Sequence, residues 1–238
     1  MKLFCLPYAG ASSVIYLKWK KALAPGVECI PLELAGRGAR SRTPYYQGME
    51  DAAEDVLDQL MRQYDGTPYA VFGHSMGGMM AFEVGRLLRE RSLPPPVVFF
   101  FSGRPAPETS RKSEDIHLLP EDEFAEKILE MGATSPEVFD SKRLLKVFLP
   151  ILRADFRLVE TYRYEEREPL PWDMTIIAGD EEEWTEAELE GWRRHTTGEC
   201  RIVRMQGGHF YWQTDSDLLL AFLVNEMLNK CLQETYFA

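Results

Sequence analysis

Short, largely apolar, β-prone runs alternate along this chain with longer stretches in which apolar positions recur every three or four residues. The short runs cover residues 2–6, 28–34, 69–72, 97–101, 175–178 and 201–205. Most are apolar on both faces, as strands are when helices cover the sheet on each side. Alternation of such runs with helical periodicity predicts a parallel α/β sheet. Between them, residues 50–64 carry Ala53, Val56, Leu57, Leu60, Met61 and Tyr64 at helical spacing, which predicts an amphipathic helix. A second helix is expected over 77–91. A third is expected over 185–195, opened by a capping box of Thr185 and Glu188, and a last one over about 217–232.

The alternation stops between residues 104 and 171. A stretch rich in Pro, Ser and charge (RPAPETSRKSED) precedes helical patterns at 121–131, after Pro120, and at 144–164; Ser135-Pro136 reads as a cap and first helical residue between them. Helices inserted between two strands usually sit over the carboxyl ends of the sheet, where ligands bind. Residues 104–171 are therefore expected to form a helical lid within a single domain spanning 1–238, with an ordinary helical packing layer as the alternative.

Composition narrows the function. The chain has 238 residues, 45% of them apolar, enough for one sizeable core. Lys and Arg total 27 against 38 for Asp and Glu, a net charge of −11. That balance argues against a general nucleic-acid or anionic-membrane binder. Four cysteines lie apart with no C-x-x-C pair, the usage of reduced thiols in a cytosolic protein. The first residues are too weakly apolar for a signal peptide, and the longest apolar run, 97–101, is far too short to span a membrane. A soluble cytoplasmic protein is expected.

The sharpest chemical signal is Gly73-His74-Ser75-Met76-Gly77-Gly78. It follows one predicted strand and opens a helix, the setting of a nucleophile elbow. A serine on so tight a turn needs small residues two positions to either side, and the helix behind it aims free N–H groups at negative charge forming near Ser75. A general base must accompany it. His209, in the loop after the last predicted strand, fits the order nucleophile, acid, histidine found in α/β-hydrolases. Of the other histidines, His74 is expected to point away as a packing residue, His195 to lie at a solvated helix end, and His117, in the lid, to be structural, with a ligand contact as the alternative. The acid should lie in Gly179-Asp180-Glu181-Glu182-Glu183, after the preceding strand. Glu182 holds the usual position three residues after the glycine; Asp180 is the alternative, with Glu181 and Glu183 behind. Ala9, in the small-residue loop after the first strand, and Met76 are expected to donate the N–H groups of an oxyanion hole. No metal or organic cofactor is expected, since the histidines are scattered and no phosphate-binding glycine fingerprint precedes a helix.

These motifs, with the opening CLPYAGA, PLELAGRGAR (31–40), FGHSMGGMMAFE (72–83), FLPILRADFRLVETYRY (148–164) and GGHFY (207–211), resemble type II thioesterases. Those are discrete proofreading hydrolases of nonribosomal peptide and polyketide assembly lines. The resemblance covers nearly the whole chain in order. It implies an α/β-hydrolase fold with a helical lid and an acyl or aminoacyl substrate on the phosphopantetheine thiol of a carrier protein. It places Ser75 as nucleophile, His209 as base, and Ala9 and Met76 as oxyanion donors; the family usually has Asp where this chain has Glu182. It also implies the carrier as partner; a monomer is expected. A medium-chain fatty acyl-carrier thioesterase or a small-molecule carboxylesterase would use the same machinery, whereas a non-catalytic carrier-binding protein would not need Ser75 and His209 together. Carrier proteins are usually acidic, so docking to a chain of net charge −11 calls for a local basic or apolar patch. The candidates are Arg104, Arg111 and Lys112; Lys142, Arg143 and Lys146; and Arg37 and Arg40.

Overall fold

The computed structural model describes residues 1–109, 115–131, 142–213 and 216–237. Each apolar run becomes a strand: β1 (Lys2–Leu6), β2 (Glu28–Pro31), β3 (Tyr69–His74), β4 (Val98–Ser102), β5 (Met174–Gly179) and β6 (Cys200–Met205). They form one six-stranded sheet in the order β2-β1-β3-β4-β5-β6, every pair parallel. The winding reverses between β1 and β3, where Leu6 lies opposite Gly73. A crevice opens outside the carboxyl ends of strands at such a switch point.

Side chains of successive strand residues point to opposite faces, and both faces are covered. Phe4, Leu6, Phe99 and Phe101 pack with α2 (Met49–Gln63) and α3 (Met76–Glu90) through Val56, Leu60, Met80 and Val84. Leu3, Cys5, Val98 and Phe100 pack on the other side with α1 (Leu17–Leu23) and the terminal helix (Ser216–Phe237) through Trp19, Leu219 and Leu223. Because β1, β3, β4 and β5 are buried throughout, they read as largely apolar runs.

Several bounds differ from the sequence expectation. β2 stops at Pro31, which has no amide hydrogen to extend the ladder, and only Leu32 N–H adds one more bond to Cys5 O at 2.9 Å. The short helix α1 was not signalled, because its lysines interrupt any apolar periodicity. The helix expected over 185–195 is a short α-helix, Glu186–Glu190, with the capping box formed, continuing as a 3-10 turn over Gly191–His195. Cys5 and Cys29 meet across β1 and β2 as free thiols, Sγ atoms 3.7 Å apart.

Between β4 and β5 lie α4 (Glu121–Glu130) and α5 (Lys142–Thr161), around their own small apolar cluster of Ile116, Phe124, Ile128, Leu149 and Leu152. After α5 come α6 (Glu186–Glu190) and α7 (Ser216–Phe237). Ser135-Pro136, Arg111 and Lys112 lie outside the described residues. Among the described residues, no helix is long and apolar enough to cross a membrane.

Candidate active site

Ser75 stands alone between β3 and α3, at φ 53° and ψ −115°. A side-chain-bearing residue held there costs roughly 1–3 kcal/mol and persists only where its surroundings over-determine it. They do so here. Ser75 N–H donates to Ser102 O at 2.8 Å, and Ser75 O accepts from Gly78 N–H at 2.9 Å. A Cβ on Gly73 would overlap Gly77 O and stand 2.7 Å from Gly78 N. A Cβ on Gly77 would overlap Leu6 O and stand 2.8 Å from Pro7 O. The glycines two residues either side of Ser75 are thus required by backbone passing backbone. Met76 is the first residue of α3, so its N–H has no carbonyl one turn back to bond.

The next two groups come from the loops after β5 and β6. His209 Nδ1 lies 2.6 Å from Glu182 Oε1. The same oxygen accepts from Trp184 Nε1 at 3.0 Å, while Oε2 accepts from Gly179 N–H at 2.7 Å. The Glu182 side chain is 4% exposed. Burial by itself pushes its pKa up, but the hydrogen bonds from His209, Gly179 and Trp184 outweigh it and hold the carboxyl below the usual range. An ionised Glu182 can only accept, so His209 donates from Nδ1, and in the neutral imidazole Nε2 is then the acceptor. Asp180 does not meet the imidazole. Its Oδ1 accepts from Gly207 N–H at 2.8 Å and braces the loop that carries His209. Both halves of the site converge on the end of β4: Ser102 O holds the Ser75 amide, and a Cβ on Gly103 would lie 3.0 Å from His209 Cε1.

The remaining histidines are packed. His74 is buried, with Nδ1 2.7 Å from Ser102 Oγ, which in turn lies 2.7 Å from Tyr211 OH. Burial, and then the neighbouring His209, hold its pKa well below the ordinary value, so the ring is neutral. His195 is not a solvated helix end. The 3-10 turn tucks it against Phe82, Tyr164 and Trp192, with Nε2 2.5 Å from Glu108 Oε2. His117 Nδ1 lies 2.6 Å from Glu160 Oε2 on α5.

After β1 the chain makes a tight turn, Ala11 N–H donating to Tyr8 O at 3.1 Å. Gly10 N–H donates to Asp155 Oδ2 at 2.7 Å. With those two amides engaged, the Tyr8 and Ala9 N–H groups are left without an acceptor among the described residues.

With these parts in place, the chain matches the thioesterase domain model over residues 1–225. It belongs to the thioesterase family. Linear gramicidin dehydrogenase LgrE of Brevibacillus parabrevis is 36% identical over 225 residues, 93% of this chain and 85% of that protein. The dehydrogenase in that name stays with that protein; after β1 this thioesterase has Pro7-Tyr8-Ala9-Gly10, not a dinucleotide-binding glycine turn. Among solved structures, ClbQ from the colibactin nonribosomal peptide/polyketide pathway is 33% identical, with a TM-score of 0.91 over 97% of this chain and 98% of that one. BorB, described as a type II thioesterase from the borrelidin biosynthetic cluster, is 30% identical, with a TM-score of 0.86 over 95% of this chain and 92% of that one. The parallel sheet is that of an α/β-hydrolase, and the enzyme is a thioester hydrolase.

Beside the carboxyl ends of β4 and β5 the thioesterase holds a cavity of about 900 Å³, lined among others by Met79, Arg104, Phe156, Tyr162 and Trp184. The basic residues expected to dock a carrier divide sharply. Arg37 is 4% exposed and grips Asp155 at both oxygens, at 2.6 Å and 2.5 Å. Arg40 is bound to Asp55 in the same bidentate way, at 2.5 Å and 2.7 Å. Neither offers a free charge to a partner, because each is committed to a carboxylate that linear spacing does not bring near it. Arg104 lines the cavity half-buried, and burial pushes its guanidinium down to about 10. The Lys142 side chain lies outside the described residues, but Arg143 and Lys146 are exposed on α5 beside exposed Leu144 and Val147. Sequence reasoning missed Asp155 as part of the site, since nothing within several residues of it marks its partner.

Proposed function

We propose that this thioesterase hydrolyses acyl and aminoacyl thioesters on the phosphopantetheine arm of carrier proteins, clearing blocked nonribosomal peptide or polyketide assembly lines. The observation that carries the chemistry is the 2.6 Å contact between Glu182 and His209, set against the same strand end as the strained Ser75. The relatives' pathways support the substrate. In this reading His209 Nε2 takes the proton of Ser75 Oγ as that oxygen attacks the thioester carbonyl. The Met76 and Ala9 N–H groups hold the oxyanion; as it collapses the C–S bond breaks, and the carrier sulfur leaves as thiol with the proton held by His209. Water, deprotonated by the same imidazole, then attacks the acyl-serine; the acid departs and Ser75 regains its proton. Side chains and water suffice for these steps, so the reading includes no cofactor.

The helices of residues 104–171 act as a lid over the cavity that receives the acyl group. The carrier docks against Arg143, Lys146 and their apolar neighbours on α5, and the enzyme works as a cytoplasmic monomer. The test compares kcat/KM for an acyl-carrier thioester with those for acyl-CoA, an N-acetylcysteamine thioester and a p-nitrophenyl ester, using wild type and Ser75→Ala. The carrier substrate should lead by about tenfold or more, equivalent to ~1.4 kcal/mol of recognition. Ser75→Ala should lower kcat by about 10⁴. An acyl adduct on another residue, seen by intact mass, or no advantage for the carrier would overturn the proposal.

A further inference from the structure

Two motifs singled out in the sequence, LAGRGAR and LRADF, meet at the loop after β1. Asp155, 1% exposed on α5, accepts Gly10 N–H at 2.7 Å. Arg37 binds the same carboxylate at both oxygens and also donates to Ala11 O at 3.0 Å and Ala35 O at 3.3 Å. Leu152, nearly one turn before Asp155 on α5, closes over Gly10, where a Cβ would overlap its Cδ2; Gly10 itself has φ 81°. Peptide groups are planar, so the bonds pin both planes that flank Ala9. The Tyr8–Ala9 plane is held through Tyr8 O, which accepts from Ala11 N–H, and the Ala9–Gly10 plane is held through Gly10 N–H.

A buried ion pair rarely stabilises a fold more than apolar residues of equal volume. Its distinctive gift is direction. Its neutrality matters here as well, because a bare carboxylate one residue from a developing oxyanion would oppose that charge. We propose that Asp155 and Arg37 are positioning residues for the oxyanion hole: together they fix the direction of the Ala9 N–H, so that seating α5 and completing the hole are one event. The inference rests on Ala9 being the second oxyanion donor of the proposed function.

The test is the paired replacement Arg37→Met/Asp155→Leu, which exchanges the ion pair for apolar volume. Hydrolysis of an N-acetylcysteamine thioester gives kcat and KM, an alkyl boronic acid mimicking the tetrahedral adduct gives Kd, and thermal melting reports folding. A folded double variant should lose about 10- to 100-fold in kcat, as expected for a shift of up to about 1 Å in a catalytic group. KM should stay within about threefold, and boronate affinity should fall in parallel with kcat. Retention of kcat within about threefold, or a loss confined to KM, would overturn the inference. If the pair does not fold, Asp155→Asn decides. It keeps one carbonyl oxygen but sets an amide against Arg37, so it too should lose kcat at constant KM, and full kcat would overturn the inference. If Ser75→Ala retains wild-type kcat, the proposed function fails instead.

Discussion

Glu182→Gln preserves shape while removing one acceptor, which makes it the sharpest probe of the triad. The carboxylate accepts from His209 and Trp184 at Oε1, at 2.6 Å and 3.0 Å, and from Gly179 N–H at Oε2, at 2.7 Å. Glutamine offers one oxygen and one NH₂. With its oxygen towards His209, the NH₂ faces the Gly179 N–H, donor against donor. Turned over, the NH₂ faces Trp184 Nε1–H and forces the His209 proton onto Nε2, the tautomer that cannot take a proton from Ser75. Either way a buried donor loses its acceptor, at a cost of about 1–3 kcal/mol, and no negative charge remains to stabilise the imidazolium. The kcat for an N-acetylcysteamine thioester, read as thiol release, should fall by about 10⁴. Asp180→Asn, at an exposed site whose oxygen can still take the Gly207 N–H, should cost less than about threefold. The pH dependence has a definite sign. Glu182 has a folded pKa below its ordinary value, so it contributes stability that is present above the unfolded value of about 4.3 and lost as pH falls through the folded one. Urea titrations from neutral to acid pH should show that increment lost in wild type and missing from Glu182→Gln. Full activity in Glu182→Gln together with a dead Asp180→Asn would refute the assignment.

Gly77→Ala should destabilise by about 1–3 kcal/mol and, by displacing the backbone of Leu6 and Pro7 that its Cβ would meet, should lower kcat by about 10² per ångström of shift. Wild-type kcat in that variant would remove the loop after β1 from the catalytic machinery. His74 stays neutral in the fold, its pKa held well below the ordinary value, while the unfolded chain takes up a proton below about pH 6.5. Its stabilising contribution is therefore complete above that pH and falls by about 1.4 kcal/mol per unit below it. Denaturation curves of His74→Gln should lack this acid slope, and parallel wild-type and variant profiles would refute the point. Exposed charges contribute about 0–1 kcal/mol each, so Arg143→Glu/Lys146→Glu should raise KM for a carrier-bound substrate several-fold, more at low salt. A small thioester should be unaffected; equal loss on both substrates would mean that this face of α5 does not dock the carrier.

What could be read from the chain is what neighbours within a few residues decide. The strands are legible because both faces of β1, β3, β4 and β5 are buried, leaving largely apolar runs. The elbow was legible because the clash that demands Gly73 is with the turn's own backbone at Gly77 and Gly78. The alternatives at Glu182 and Asp180 stayed open because both follow Gly179 within one turn of chain. Only the packed loops show that the longer side chain reaches His209 while the shorter one braces Gly207. His195 and Arg37 misled for a related reason. His195 among Arg193, Arg194 and Thr196, and Arg37 in a glycine-rich loop, both read as solvated, until tertiary structure supplies Glu108 or Asp155 as the partner that makes burial affordable. Arg37 and Asp155 are 118 residues apart in the chain, and no local periodicity records such a pairing. It exists because β1 and β2 are adjacent in the sheet and α5 folds back over their ends. Local sterics and periodicity chose the elements and the nucleophile's turn; the ion pairs and the acid were decided where separate elements meet, since a buried charge is tolerated only when another part of the chain arrives to satisfy it.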